Sequence, residues 1–368
     1  MSVADLSIGQ LITGELFDEA KRQLTICNAC RYCEGYCPVW PSLAKLTDIS
    51  NGDVTHLSNL CHDCQDCFTA CMYTAPHEFA LNPPEIFSAV RVATYRDYSW
   101  PPRPRWARGI PGIALLTAAV IIVVLALAVL LRSDTVTGPH AAASPYHLLP
   151  YWALFSVVSA PVAWGAVVAV IAACRYWRDV HGPLGALARP VTWLAALRDG
   201  ARLRYLRGGG ADCTYPGDEP SGSRRSYHLW LVGGLALCFA ATVAAGAEQD
   251  FAGWQPPYPF WSAPPLLGTL GGIAMIAGCV GLLAGKRASG PGRSAPAMRR
   301  ADYLLLWSLL GLAVTGLLTL VLRSTPLFLT VLVIHLVTVI TCFAVAPYSK
   351  FMHVVYRLLS IYKYRLDS

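Results

Sequence analysis

The sequence CNACRYCEGYCP occupies residues 27–38, and CHDCQDCFTAC follows at residues 61–71. Both stretches have the spacing C-x2-C-x2-C-x3-C. Thiolates are soft ligands that suit iron–sulfur clusters or zinc, but structural zinc sites usually use C-x2-C pairs that are well separated. The tight run of four cysteines is instead the one that two-cluster bacterial ferredoxins use. The pattern therefore predicts two [4Fe–4S] clusters.

The spacing also predicts which cysteines share a cluster. In such ferredoxins the fourth cysteine of each run ligates the other cluster. Two zinc sites or a disulfide scaffold are the alternatives, and disulfides are rare in the cytoplasm, where we place this segment below. His62 and His77 flank the second run, and we expect them near a cluster or at the surface because cysteine fills every ligand position. The predicted ligands are Cys27, Cys30, Cys33 and Cys71 for cluster 1, and Cys61, Cys64, Cys67 and Cys37 for cluster 2.

The composition places the rest of the chain in a membrane. Of the 368 residues, 55% are hydrophobic and only 14% are charged, which is too apolar for an ordinary soluble protein. Six apolar segments each approach the roughly 20 residues that cross a bilayer as a helix. They lie at residues 109–132, 151–174, 228–247, 264–285, 303–322 and 326–347.

These segments divide the chain into two domains. We predict a mainly α protein with a small ferredoxin-like domain at residues 1–100 and a polytopic bundle of six transmembrane helices at 109–368. Arginines and prolines form a stiff basic linker at 101–108. The N-terminal domain has little apolar sequence of its own, so the clusters would hold much of its fold together.

Short helices are predicted outside the membrane as well. Gly14–Ile26 leads into the first cysteine run, and Asn82–Tyr98 begins with two prolines, which suit the first turn of a helix. The long loop 175–227 contains a basic amphipathic segment at 188–206. Such a helix lies on the membrane surface or under a partner.

The basic residues predict the orientation. The net charge of +7 could suggest nucleic acid, but 27 of the 29 Lys and Arg fall on one side of a six-span arrangement. Only Arg132 and Arg323 lie on the other side. Cytoplasmic loops carry the excess of Lys and Arg, so we expect both termini and the clusters on the cytoplasmic side of the bacterial inner membrane. This placement explains the charge without nucleic acid, and the polar residues 1–23 predict no cleavable signal peptide.

Three histidines on or beside apolar segments could bind haem b, since neutral imidazoles are good axial ligands. His228 opens the third span, and His353 lies at the same face if the sixth helix continues through Pro347, so these two can pair. His335 precedes His353 by about 27 Å of continuous helix. It would therefore ligate a second, deeper haem, or else hydrogen-bond to a neighbouring helix.

Several stretches together resemble the tricarballylate-utilisation protein B family, also called citrate-utilisation protein B. The resemblance implies a membrane electron carrier that takes electrons from an FAD-dependent dehydrogenase of tricarballylate or a related acid and passes them to the quinone pool. It implies the eight cysteines as cluster ligands, and His228, His335 and His353 as haem ligands. The matching stretches are CNACRYCEGYCPVW, LCHDCQDCFTACMYTAP, LRYLRGGGADCTYP, LLGTLGGIAMIAG and PYSKFMHVVYR.

The predicted function is thus electron transfer between a partner flavin and quinone through two [4Fe–4S] clusters and haem b. No acid–base or nucleophile constellation indicates catalytic residues in this chain, so the chemistry is that of the cofactors. One alternative is the membrane subunit of a heterodisulfide-reductase-like, quinone-linked complex. Another is a transporter with a redox-sensing domain, but the central portions of the spans carry essentially no charged residues, which transporters usually have.

Overall fold

The computed structural model of this chain is helical and describes most of its length. It describes residues 13–104, 107, 109–131, 144–207, 210, 212–214, 217, 219–290 and 292–368. Arg105 and Arg108 of the linker, and Arg132, lie outside the described residues. No strand forms in the described part, where a single isolated β-bridge joins Cys213 to Ser221.

The N-terminal region contains five helices around the cysteine runs. Ser50 caps the third of them in a capping box with Asp53, and the Asn82 side chain accepts a hydrogen bond from Glu85 N at the start of the fifth. The first helix runs past the predicted end at Ile26 and includes Cys27 and Cys30. The helices are α1 (Thr13–Cys30), α2 (Val39–Leu43), α3 (Asn51–Leu60), α4 (Asp66–Thr69) and α5 (Pro83–Tyr98).

Six further helices are long and apolar enough to cross a membrane. They match the six predicted segments, and with the helical N-terminal region they confirm the predicted fold class. Most of their surfaces face outward in the isolated chain, as lipid-facing helices do. The spans are α6 (Gly109–Leu130), α7 (Tyr151–Asp179), α9 (Ser223–Ala252), α10 (Ala263–Ala288), α11 (Pro296–Val321) and α12 (Phe328–Val345), the last extended by a short turn to Tyr348; α8 (Pro190–Ala201) lies between α7 and α9.

The spans pack in a row. Helix α9 packs along α10, α10 along α11, and α11 along α12, which also contacts α6 and α7. Glycines allow the closest approach, because a Cβ on Gly278 would lie 2.6 Å from Leu231 N, and one on Gly271 would lie 2.8 Å from Cys238 N. Small residues thus bring the backbones of α9 and α10 together.

The sixth span does not continue to His353 as one helix. Two short 3-10 turns, Ala346–Tyr348 and Lys350–Met352, interrupt the chain, and α13 (His353–Asp367) begins at His353. Pro347 has no N–H to donate to the preceding turn, and the α-helix ends there. The separation of about 27 Å expected for one continuous helix therefore does not apply to His335 and His353.

Helix α13 returns to the N-terminal region and shares its apolar core. Tyr356 and Tyr362 of α13 are fully buried in a cluster that also contains Leu24, Leu57 and Phe87. The end of α7 enters the same cluster, where the Tyr176 hydroxyl hydrogen-bonds to Ser360. The cysteine-rich region is therefore seated directly on one end of the membrane bundle.

The amphipathic segment of the long loop is the helix α8, which is shorter than predicted. One face packs on α13, where Trp193 stacks on Tyr362 with ring centroids 4.1 Å apart. Asp199 accepts hydrogen bonds from Tyr205 and Arg365, which tie α8 to the C-terminal helix. The other face exposes apolar side chains, and Val191 is 80% exposed.

Candidate iron–sulfur site

The eight cysteines of the two runs line two neighbouring cavities. One cavity is bordered by Cys27, Cys30, Cys33 and Cys71, together with Cys67. The other is bordered by Cys37, Cys61, Cys64 and Cys67. Cys71 thus lies with the first run and Cys37 with the second, which is the exchange that the spacing predicts. Cys67 borders both cavities, and the two ligand sets stay a prediction.

The backbone between the cysteines turns sharply so that successive thiols converge. Arg31, Asp63 and Gln65 adopt positive φ angles of 53°, 57° and 69°. Such left-handed residues are costly for side chains other than glycine and concentrate at functional sites. The turns aim N–H groups at sulfur, as Asp63 N donates to Cys61 Sγ and Tyr73 N donates to Cys71 Sγ, each at 3.4 Å.

The electrostatics of the thiols fit an iron–sulfur cluster. Burial, followed by the neighbouring cysteine charges, raises the pKa of Cys27 and of Cys33 to about 12. Burial raises the pKa of Cys37 and of Cys64 as well. The charge of Cys61 raises the pKa of Cys37 further, and the charge of Cys37 raises the pKa of Cys64. Four thiolates in one such cavity would repel each other. Bound cationic iron would neutralise them, and metal binding also favours the deprotonated form of buried ligands.

The two cavities differ in exposure. Residues around the first lie at the surface, where Cys30 is exposed, Tyr32 is 59% exposed and Met72 is 66% exposed. In the second, Cys61 is 7% and Cys64 is 6% exposed. The first cavity therefore faces the surroundings, and the second lies inside the molecule.

The loop of the second run is held by loops at the end of the membrane bundle. Arg224, in the first turn of α9, donates to Asp63 O and His62 O. Thr214 N donates to Asp66 Oδ1 at 2.7 Å, and Ser294 Oγ donates to the Asp63 carboxylate at 3.0 Å. These contacts place the second cavity, rather than the first, against the spans.

Two of the three predicted haem histidines lie at this same end. His228 and His353 are close enough to interact electrostatically. His353 Nδ1 donates to Lys350 O at 2.6 Å, which leaves Nε2 as the nitrogen that can bind a metal. The Nδ1 of His228 is buried and has no hydrogen-bond partner among the described residues. Burial, with the charge of Arg357, lowers the pKa of His353 and keeps its imidazole neutral.

His335 is separate from this pair. It lies within α12, and its Nδ1 is 3.0 Å from the Thr315 hydroxyl on α11. A Cβ on Gly316 would lie 3.1 Å from His335 Cε1, so glycine makes room for the ring. This hydrogen bond to a neighbouring helix is the alternative to a second haem that the sequence left open.

His62 and His77 are the two histidines beside the second run. His62 is buried, and its Nδ1 donates to Leu60 O at 2.8 Å. It lines the second cavity beside the cysteines and interacts electrostatically with His228. His77 is half-buried, and its Nδ1 accepts a hydrogen bond from Phe79 N. His77 is not among the residues that line either cavity.

Two arginines near the second cavity were missed from the sequence: Arg91, which is buried, and Arg357, which is half-buried. Arg91 of α5 donates to Ser58 O at 2.6 Å and to Cys61 O at 3.3 Å. Arg357 of α13 lies one helical turn after His353 and interacts electrostatically with Cys61. Its spacing from His353 was the one available signal, because residues four apart share a helix face.

Comparison with known proteins agrees with the two-part architecture. Residues 20–97 match the family model "Citrate utilization protein B Fer4-like domain", and residues 103–368 match the model "Citrate utilization protein B". The chain is 38% identical over 362 residues to the citrate utilization protein B of Escherichia coli, which covers 95% of this chain and 92% of that protein. No solved structure matches the chain significantly.

The two family matches together span nearly the whole described chain, and the Fer4-like match contains all eight cysteines of the two cavities. A Fer4-like domain joined to a membrane bundle fits an iron–sulfur role in electron transfer. The family resemblance seen in the cysteine runs is thereby confirmed, and the chain belongs to the citrate utilization protein B family.

Proposed function

We propose that this chain reoxidises the reduced flavin of a partner FAD-dependent dehydrogenase and delivers the electrons to membrane quinone. The partner's substrate would be tricarballylate or a related acid such as citrate, a class suggested by the name of the relative in Escherichia coli. Two [4Fe–4S] clusters and haem b would be the resident one-electron carriers, which allow a two-electron donor to be oxidised in single steps.

The observation that carries this proposal is the asymmetry of the two cysteine cavities. The first is open to the surface beside Tyr32 and Met72, where a soluble partner could approach. The second is bordered by the buried Cys61 and Cys64 and lies beside the membrane bundle. Electrons would therefore enter at Cys27, Cys30, Cys33 and Cys71, and leave toward the membrane from Cys37, Cys61, Cys64 and Cys67.

The residues at the membrane end suit haem b. His228 and His353 come from different helices and would supply the two axial nitrogens, with Lys350 O holding the tautomer of His353. The cation of Arg224 lies near the pair and would balance a propionate of a haem. His335, whose Nδ1 is already held by Thr315, would serve a second haem through Nε2.

The proposal also covers the orientation of the chain and the membrane in which it lies. The segments that contact the cysteine-rich region are the ends of α7, α10 and α12 and the starts of α9 and α11, which alternate as expected for spans that enter and leave one face. These segments carry most of the basic residues. We propose that this face is cytoplasmic and that the bilayer is the bacterial inner membrane.

Quinone reduction by the purified chain tests the function directly. The protein is reconstituted anaerobically in vesicles and reduced with stoichiometric dithionite, and decylubiquinone is then added. We expect the EPR signals of reduced clusters and the haem α band to disappear together on addition of the quinone. The Cys64→Ser protein is the control and should reoxidise far more slowly. Clusters that stay reduced in the wild type while quinone is in excess would overturn the proposal.

A further inference from the structure

The second cysteine cavity lies between opposite charges, those of two arginines and that of Asp66. Arg91 is 3% exposed, and the Nε of Arg357 is buried without a hydrogen-bond partner. Within the described residues, neither guanidinium has a carboxylate at ion-pair distance. Burial, with the charge of Arg91, lowers the pKa of Arg357 to about 10, so it remains protonated at neutral pH.

A buried cation without an anion is costly unless an anion is supplied by something bound. Arg91 already donates to backbone carbonyls at the end of α3. Arg357 Nε has no such acceptor among the described residues, although the guanidinium interacts electrostatically with the Cys61 thiol. A cluster held by four thiolates is anionic and would provide the missing countercharge at Cys61.

Asp66 supplies the opposite charge on another side of the same cavity. It is 7% exposed and interacts with Cys37 and Cys64. Its Oδ1 accepts hydrogen bonds from Thr214 N and Thr214 Oγ1, whereas its Oδ2 is buried without a partner. Among the described residues, no cationic side chain donates a hydrogen bond to this carboxylate.

We propose that Arg357 raises, and Asp66 lowers, the reduction potential of the [4Fe–4S] cluster held by Cys37, Cys61, Cys64 and Cys67. This inference rests on the proposed function, because it requires the cluster. Reduction adds one electron and so one negative charge to the cluster. A fixed buried cation stabilises that added charge and a fixed anion opposes it, and both effects are strong where water is excluded.

The test is a redox titration of the purified full-length protein followed by EPR. Arg357→Gln should lower the potential of the second cluster by the equivalent of at least a tenfold change in its one-electron equilibrium constant, which is about 59 mV. Asp66→Asn keeps an oxygen for Thr214 and should raise the potential by a similar factor. Arg357→Lys retains the charge and should restore a value close to that of the wild type.

Two controls separate an electrostatic role from a structural one. Lys363→Gln removes a charge from the same helix, where Lys363 pairs with Asp367, and should leave both clusters unchanged. The first cluster is an internal control, because its potential should not change in either variant. A general loosening of the site would shift the reduction potential of the second cluster in the same direction in Arg357→Gln and in Asp66→Asn.

The possible failures are distinguishable. The inference is overturned if the two substitutions shift the potential with the same sign, if neither shifts it, or if Arg357→Gln shifts only the haem. The last result would assign Arg357 to the haem propionates instead. If spin quantitation of the wild type finds no four-iron clusters, the proposed function fails as well.

Discussion

At the scale of single residues, the chemistry of this protein lies in thiols that are brought together by turns. Cys37 belongs to the first run in sequence but borders the cavity of the second, and Cys71 does the reverse. Such an exchange ties the two runs to each other, because each cluster would need ligands from both. Losing one thiol should therefore affect the fold of both runs as well as one cluster.

Replacement of a single cysteine should remove a cluster. We expect Cys64→Ser to reduce the iron content by about half or more and to abolish electron transfer to quinone, because serine is a harder ligand and its hydroxyl is not ionised at neutral pH. Iron and sulfide analysis with EPR measures this outcome. Cys174→Ser, at an exposed position of α7, is the matched control and should retain full content. Full iron content in Cys64→Ser would contradict the ligand set.

The paired histidines carry a separate prediction. His353→Leu should eliminate the α band of a b-type haem in the dithionite-reduced spectrum while leaving the iron–sulfur EPR signals, because only the axial nitrogen is lost. His335→Asn tests the second haem: a loss of about half of the haem would support it, and unchanged haem would identify His335 as the partner of Thr315 alone. His77→Asn is the control, since His77 contacts Phe79 and not the bundle. An unchanged α band in His353→Leu would exclude this ligand.

At the scale of elements, glycine decides how closely the spans approach. Gly278 faces the backbone of α9 at Tyr227, the residue before His228, and at Leu231, three residues after it. The position of that histidine therefore depends on the contact between α9 and α10. Gly268 lies on the same helix but leaves ordinary space for a methyl group, with the nearest side-chain atom 3.8 Å away.

This difference predicts different effects on stability for the same glycine-to-alanine substitution at the two positions. Gly278→Ala should destabilise the protein by about 1–3 kcal/mol, because the new methyl group overlaps backbone that cannot move aside. Gly268→Ala should be neutral or slightly stabilising, since alanine favours helix more than glycine does. Thermal unfolding in detergent, followed by circular dichroism, compares the two. Equal midpoints would show that α9 and α10 are not packed as the structure describes.

At the scale of the whole molecule, the two parts of the sequence are not two separate bodies. Helix α13, at the C-terminal end of the sequence, is buried with α1, α3 and α5 in one apolar core, and the end of α7 joins it. The second cavity is consequently fixed against the spans by packing as well as by hydrogen bonds. An electron carrier needs this rigidity, because its cofactors must keep a constant separation.

The orientation gives a prediction for the whole chain. Alkaline phosphatase folds only outside the cytoplasm, so its fusion after Arg323, in the turn between α11 and α12, should be active in cells. Its fusion after Ser368 should be inactive, because the positive-inside rule places the C-terminus in the cytoplasm. Fusions of green fluorescent protein at the same two positions provide the control and should give the reverse pattern. An active phosphatase after Ser368 would invert the topology.

Local patterns predicted a large part of this fold. The six spans were found because length and apolarity are properties of contiguous sequence, and their ends moved by only a few residues in most cases. The larger differences include the starts of α11, at Pro296 rather than 303, and of α9, at Ser223 rather than His228; the first turn of α9 is polar and contacts the cysteine-rich region. The break at Pro347 was also missed, since a proline within a span can either kink the helix or end it.

The sequence by itself determined that this protein has two ferredoxin-type cysteine runs and six membrane spans, because ligand spacing and apolar length are set within short segments. Only the tertiary structure decided that the second run lies beside the membrane spans, that His228 lies near His353, and that Arg357 and Asp66 lie near different thiols of the second cavity. Those neighbours are distant in sequence, and they meet because α13 folds back to bury its tyrosines with α1, α3 and α5. Packing of that kind depends on complementary surfaces and leaves no periodic signal in the chain.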